Sequence, residues 1–429
     1  MIAADRRGDT IVALSSGRLP AAIAVVRLSG PDAFEVARRL AGTLPSPREA
    51  RLRLLRDPND NSPIDEALTL CFPAPDTATG ENIVEFQCHG SNAVVRKLID
   101  VMTSHARCRV AEPGEFTRRA LENGRLDLTA AEGLGDLLAA ETEAQRRSAL
   151  RIARGGLHHE LSALLDRLVT LSAQLEAAID YVGDEEETGG QDDAIRDALE
   201  GLQSDVARFR DRPSVEPLRE GIRVVLGGPT NAGKSSLINR LSGAARVIVS
   251  DVHGTTRDLV EVPVSISGIP FVLVDTAGLR ESEDTVERIG IARAAQAHEE
   301  ADILLWLGDP DRAPSHPRLL LVRTKADLDD QADDRLAVSS VTGAGIDALM
   351  RQLVAMASEI LPASDEIGLT DWQTGVLATV EELLAVRSDD LAIVADAVRA
   401  ARVSLGRLLG AGDVEDVLDR LFGRFCLGK

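Results

Sequence analysis

The stretch IRVVLGGPTNAGKSSLINRL, Ile222 to Leu241, decides how the second half of this chain folds. A short apolar run, IRVVL, reads as a strand, GPTNAGKS (Gly228 to Ser235) follows, and a helical pattern comes next. That octapeptide satisfies G-x-x-x-x-G-K-[ST] in the strand, loop and helix setting that gives the motif its meaning. Glycines in such a loop allow backbone N–H groups to face phosphate oxygens. Lys234 then reaches the β and γ phosphates, and the Ser235 hydroxyl can hold Mg²⁺. Asn231, Ala232, Gly233, Lys234, Ser235 and Ser236 are the expected nucleotide contacts of this loop.

Working outward, FVLVD (271–275), ADILLWL (301–307) and RLLLV (318–322) alternate with helical patterns between about Leu218 and Pro362. Alternation of that kind implies a mostly parallel sheet with helices on its faces. Asp275, in DTAG at the end of the second buried run, is the matching Mg²⁺-side carboxylate. Thr276, Ala277 and Gly278 follow it, and the Gly278 N–H can meet the γ-phosphate. In TKAD (324–327), Asp327 can accept the ring N–H and the exocyclic amine of guanine, a pair adenine does not offer. Ala326 lies between Asp327 and Lys325, whose stem can cover the base. Ser339, Ser340 and Val341 open SSVTGAG (339–345), which fits a final base loop. The expected ligand is GTP. Two positions depart from common GTPase usage: Thr324 stands where Asn is frequent, and Leu279 stands where Ras-type enzymes place a water-orienting Gln. The acids of LRESEDTVERIG (279–290), Glu287 above all, together with a cation at the phosphates, are candidates to take over that task; a solvated switch segment is the alternative.

At 429 residues the chain holds two or three domains. A net charge of −21 disfavours non-specific attraction to nucleic acid, so any RNA partner must meet a local basic patch. Only four of the 48 basic residues are lysine (Lys97, Lys234, Lys325 and Lys429), and three of these sit in motifs. Cysteines 71, 88, 108 and 426 show neither metal-ligand nor disulfide spacing, which fits a reducing, cytoplasmic setting. No stretch approaches the roughly 20 apolar residues that a membrane span needs.

Residues 1–126 read as an α+β domain and 127–217 as the first part of a helical domain, with Leu157, Leu161, Leu164, Leu168, Leu171 and Leu175 forming one apolar stripe. GDEEETGGQDD (183–193) reads as a solvated connection. An α/β unit occupies 218–362, and the helical pattern returns over 363–429. The predicted fold is therefore multidomain, with an α/β Ras-like P-loop unit inserted in a discontinuous all-α domain behind an α+β N-terminal domain. GDPDRAPSHPR (308–318) is Pro-rich and too short for the usual crossover helix. Arg146, Arg147, Arg151 and Arg154 read as solvated helix faces. The chain ends in FCLGK, which fits a prenylation signal poorly.

GTTRD (254–258), DTAGLRESEDTVERIGIARA (275–294), VVRLSG (25–30), TGENIVEFQCHG (79–90), PGEFTRRALENGRLDL (113–128) and the FCLGK tail occur together. With these, the chain closely resembles, over its full length, the MnmE (TrmE) family of bacterial tRNA-modification GTPases. The resemblance implies a folate-binding N-terminal domain, a homodimer formed through it, and an FAD-containing partner, MnmG (GidA). With that partner the family builds aminomethyl or carboxymethylaminomethyl groups at C5 of the wobble uridine of certain tRNAs. It implies K⁺ at Asn231, Ser250, Val252 and Thr255, and Mg²⁺ at Ser235 and Thr256. Asp251, His253 and Gly254 of the same loop join the nucleotide contacts, and Glu287 orients the hydrolytic water. A tetrahydrofolate derivative, 5-formyl or 5,10-methylene, is expected at Arg27, Glu85, Arg125 and Lys429. Cys426 is a candidate nucleophile or positioning group, the alternative being a small apolar cap on the last helix; a nucleophilic role requires a lowered thiol pKa. A ribosome-assembly switch is the competing function. It would share the GTPase motifs but needs no folate pocket.

Overall fold

A computed structural model describes residues 8–180, 188–248, 260–276, 295–328, 335–363, 366–388, 390–411, 421–422 and 428. The chain divides into two compact units, one of residues 1–135 with 409–429 and the other of residues 136–408.

The first unit is built on strands β1 (Thr10–Leu14), β2 (Ala21–Ser29), β3 (Arg51–Arg56), β4 (Pro63–Phe72), β5 (Ile83–Gly90) and β6 (Cys108–Val110). They form one six-stranded sheet in the order β3-β4-β5-β2-β1-β6, antiparallel except for the β1–β6 pair. Because alternate residues of a strand face opposite ways, VVRLS and IVEFQC each divide between two faces. Val26, Leu28, Val84, Phe86 and Cys88 point to a core closed by helices Ala33–Ala41 and Asn92–Thr103, which contribute Val36, Leu40, Leu98 and Met102. Ser91 caps the second helix by accepting a hydrogen bond from the Val94 N–H. Arg27 and Glu85, directly opposite each other across β2 and β5, occupy the other face. There Ile11 and Ala13 of β1 pack with Ala111 and with Phe116 of helix Glu115–Glu122 into a smaller cluster.

In the second unit, β7 (Ile222–Gly227), β8 (Arg246–Val247), β9 (Val260–Ile266), β10 (Ile269–Asp275), β11 (Ile303–Trp306), β12 (Leu319–Arg323) and β13 (Leu336–Ala337) form a sheet ordered β13-β12-β11-β7-β10-β9-β8. β10, β7, β11, β12 and β13 run parallel. β9 joins antiparallel to β10 through Ser267 and Gly268, both at positive φ, which is the two-residue hairpin geometry. Only the short 3₁₀ turn Pro310–Arg312 lies between β11 and β12, so the predicted helix-free crossover is what joins this parallel pair.

Helices Lys234–Ala244 and Ile346–Ile360 pack on this sheet through Leu237, Leu241, Leu349 and Leu353, and helices Glu143–Ala153, Gly156–Asp180, Thr188–Arg210, Asp371–Leu384 and Leu391–Leu408 form the helical part of the unit. The leucine stripe of Gly156–Asp180 is buried from Leu157 to Leu175. The solvated connection expected over 183–193 is corrected over 188–193, where the chain is helical from Thr188; residues 183–187 lie outside the described residues. Acids near a helix N-terminus complement its dipole, so an acidic composition there does not mark a link. Where the chain enters and leaves the α/β layer, Ser214 and Leu369 form a parallel bridge, and the Val215 N–H donates to the Leu369 carbonyl at 2.9 Å. Entry and exit side by side are what an insertion requires. The architecture is thus an α+β N-terminal domain, a discontinuous helical domain and a Ras-like α/β unit set into it.

Candidate functional site

At the C-terminal end of β7 the loop turns through Asn231 at φ 63° and delivers the chain into helix Lys234–Ala244. The first N–H groups of a helix have no partner within it, which makes this end a seat for an anion. Lys234 is buried, and its ammonium donates to the carbonyls of Gly228 at 2.9 Å and Pro229 at 3.0 Å. Ser235 Oγ donates to Asp275 Oδ2 at 2.6 Å, which brings two hard oxygen ligands to one point beside the loop. Those donors suit Mg²⁺, which takes one or two protein oxygens and completes its shell with water and phosphate. Thr276 is turned away from this point, its hydroxyl donating to the Leu226 carbonyl at 2.8 Å.

On the base side, Thr324 Oγ1 donates to the Ala232 carbonyl at 2.6 Å and ties the TKAD loop to the phosphate loop. With its one proton committed there, this hydroxyl has only lone pairs left, and the guanine N7 and O6 are themselves acceptors. Asp327 Oδ1 accepts from Ser339 Oγ at 2.6 Å, and Ser339 Oγ also receives the Thr342 N–H at 3.0 Å, so the two base loops are joined. Lys325 and Val341 are exposed, Ala326 and Ser340 are half-buried, and Ser236 faces solvent on the helix. Ser250, Asp251, Val252, His253, Gly254, Thr255, Thr256, Ala277, Gly278, Glu287, Cys426 and Lys429 lie outside the described residues.

A second polar site lies in the other unit. Arg27 donates from Nε to Glu85 Oε1 at 2.8 Å and pairs with it through a second nitrogen at 2.8 Å; the two side chains are 23% and 18% exposed. The Arg27 guanidinium also sits 5.8 Å from the centre of the Phe116 ring. Arg125 is apart from this pair, at 3.4 Å from Asp76, with its stem against Gly80 in the loop that leads into β5. Gly428 lies against the same sheet: a methyl group on it would fall 2.1 Å from the Leu14 carbonyl oxygen. Leu14 neighbours Ala13, which is opposite Arg27 across β1 and β2.

Residues 10–125 match the family described as the GTP-binding protein TrmE N-terminus, and residues 128–426 match the MnmE helical domain. The tRNA modification GTPase MnmE of Rhizorhabdus wittichii is 47% identical over 426 residues, covering 98% of this chain and 97% of that one. Its counterpart in Zymomonas mobilis is 45% identical over 432 residues, covering 98% and 100%. The chain belongs to the MnmE family. Among solved structures, the G domain of the T. maritima FeoB iron transporter is 26% identical over 32% of this chain and 98% of that one, with a TM-score of 0.25.

This MnmE-family GTPase carries polar groups that motif reading alone passes over. Arg119, buried in helix Glu115–Glu122, donates to the Asp9 carbonyl at 2.8 Å and to both Glu81 oxygens at 3.0 and 3.1 Å, and also reaches Glu115. Glu81 in turn accepts from Ser29, two residues from Arg27. Burial by itself would raise the Glu115 carboxyl, but Arg109 and Arg119 hold it below the usual carboxylate range. RLSG, TGEN and PGEFTRR are thereby drawn into one network, and no spacing in the sequence announces it. In the MnmE-family nucleotide site, Gly227 is flanked by the Trp306 ring and by His298 Nε2, which has no hydrogen-bond partner among the described residues. Burial first, then His316 and Lys234, push the His298 pKa down. Cys71, Cys88 and Cys108 are buried; burial raises each thiol, Cys88 to about 11 and Cys108 to about 12, so none of the three is poised as a nucleophile. No helix among the described residues is long and apolar enough to cross a membrane.

Proposed function

We propose that this chain hydrolyses GTP as one component of a tRNA-modifying enzyme acting at C5 of the wobble uridine, with a one-carbon unit drawn from tetrahydrofolate. The observation that carries this reading is the presence, in one chain, of the Lys234–Ser235–Asp275 cluster and of the Arg27–Glu85 pair. Our domain assignment is 1–126 for folate binding and dimerisation, 127–217 and 363–429 for the helical domain, and 218–362 for the GTPase.

In the nucleotide site, Lys234 exchanges the Gly228 and Pro229 carbonyls for the β and γ phosphates, leaving those carbonyls to solvent. Ser235 and Thr256 hold Mg²⁺, whose charge offsets that developing on the phosphates. Asn231, Ser250, Val252 and Thr255 hold K⁺, and Glu287 orients the attacking water that Leu279 cannot. Asp327 reads the guanine edge while Ser339 keeps its carboxylate in place.

In the other unit, the Arg27–Glu85 pair offers N–H donors beside a carboxylate acceptor, the complement of a pterin ring that carries both kinds of group. Arg125 and Lys429 serve the remainder of the folate, and Cys426 stands near the one-carbon unit. MnmG would supply FAD and most of the tRNA contact, which is weak in this chain alone. Homodimerisation uses the sheet face opposite helices Ala33–Ala41 and Asn92–Thr103, where Ile23 and Leu52 are each 60% exposed. The setting is the cytoplasm.

Steady-state turnover in KCl against NaCl, with equilibrium binding of 5-formyltetrahydrofolate to the full chain, tests the reading. Potassium-dependent turnover and saturable folate binding are expected. Equal rates in the two salts remove the potassium role, and absence of folate binding removes the one-carbon role. Glu287→Ala should lower kcat far more than nucleotide affinity, and an unchanged kcat reassigns the water-orienting residue.

A further inference from the structure

Between Arg38 and Arg56 there are six arginines and one acid, Glu49, in a chain whose net charge is −21. The fold gathers four of them at one margin of the first sheet. Arg51 and Arg53 alternate along β3, an edge strand, on the same side as the buried Leu55. Arg53 Nε donates to the Thr43 carbonyl, just past helix Ala33–Ala41. The Arg48 N–H donates to the Cys71 carbonyl, and Arg38 is near enough to Cys71 to lower its thiol against the rise that burial causes.

What these guanidinium groups touch is as informative as where they are. Arg48 bonds the Asp76 carbonyl and faces the Phe72 ring, Arg53 bonds the carbonyls of Thr43 and Leu52, and Arg56 bonds that of Asn61. Backbone carbonyls fix the orientation of a guanidinium without cancelling its charge. Of Arg48, Arg51, Arg53 and Arg56, Arg51 is the one that meets a carboxylate among the described residues, Glu49 at 3.3 Å with both side chains more than half exposed. Such a pair is screened and weak in water. Arg38, Arg39, Arg48 and Arg51 are exposed.

We propose that this edge of the first unit, centred on Arg38, Arg48 and Arg51, is a docking surface for the phosphate backbone of RNA. The proposal rests on the tRNA reading above, and it names where on this acidic chain the RNA is met. Exposed guanidinium groups clustered at one edge position a polyanion without reading its bases. Its affinity must therefore be salt-dependent.

The test is equilibrium binding of an unmodified tRNA to the full-length chain across a KCl series. Compared are the wild type, the triple variant Arg38→Ala/Arg48→Ala/Arg51→Ala, the same three positions changed to Lys, and a charge-matched control, Arg146→Ala/Arg147→Ala/Arg196→Ala. The alanine triple is expected to lose on the order of 10-fold in affinity at low salt and roughly two to three units of the log–log salt slope. The lysine triple should keep most of that slope, and the control should behave as wild type. GTP turnover and the melting curve report on folding in each variant. An alanine triple that turns over GTP and binds tRNA like wild type overturns the proposal while leaving the tRNA reading in place. Equal loss in the control also overturns it, because the overall field would then be responsible. No tRNA binding by the wild type at any salt concentration overturns the proposal, because the partner then supplies the whole RNA contact.

Discussion

The two polar sites of this chain are built in opposite ways. The nucleotide site is made from consecutive residues at strand ends, where loop backbone, a helix N-terminus and Lys234 converge. The Arg27–Glu85 site is made from side chains on two strands that are 58 residues apart in sequence, facing out of a sheet, with its surroundings held by Arg119 and Glu81. In the first, side chains rest on local carbonyls that water can serve when the lysine leaves. In the second, each charge is the other's partner. Removing one member of such a half-buried pair leaves its partner with an uncompensated charge.

The largest effect that would break this comparison is in the nucleotide site. Lys234→Ala should lower GTP turnover about 10³-fold, the scale seen when a group that stabilises transition-state charge is removed, while folate affinity stays unchanged. Rapid-quench turnover and folate titration of the same sample check both halves. Next, Arg27→Ala and Glu85→Ala should each weaken folate binding about 10- to 100-fold, equivalent to about 1.4–2.8 kcal/mol. The double variant should be less than additive because the two side chains bond each other. Strict additivity in that cycle would show that the pair does not act as a unit. GTP turnover of all three should match wild type.

A smaller effect is expected at Thr324. Thr324→Val removes the bond to the Ala232 carbonyl and should raise the Kd for GDP about fivefold, in line with one lost hydrogen bond of about 1 kcal/mol. Thr324→Asn, which has two N–H donors, can serve Ala232 and the base together and should tighten GDP. The smallest effect concerns pH. His298 has its pKa pushed below the ordinary 6.5, by burial first and then by His316 and Lys234, so the unfolded chain binds more protons between that lowered value and about 6.5. Stability therefore rises with pH through this window and is lost on acidification below about 6.5. Urea midpoints at pH 7.5 and 5.5 should differ less in His298→Gln than in wild type. An unchanged difference would take His298 out of the acid sensitivity.

Features that depend on neighbours along the chain were legible in the sequence. β7 running into the phosphate loop, the parallel strands FVLVD, ILLW and LLLV, the helix-free crossover and the leucine stripe from Leu157 to Leu175 are all local patterns of period two, period 3.6 or turn chemistry. Where local signals competed, the reading failed. VEVPVSI alternates with period two, but Pro263 at its centre argues against a strand, and β9 was not read as one; its pairing with β10 is set by the Ser267–Gly268 turn and the adjacent strand. The helix from Thr188 was masked by an acidic, glycine-containing composition. Folding alone brings Arg119, Glu81, Ser29 and Asp9 into one network, commits the Thr324 proton to Ala232 and rests Gly428 against Leu14. Those contacts join residues tens to hundreds of positions apart, and their existence depends on which strands pair and in which register. A shift of one residue in β2 against β5 would turn Arg27 into the core and away from Glu85, and no local pattern carries that information.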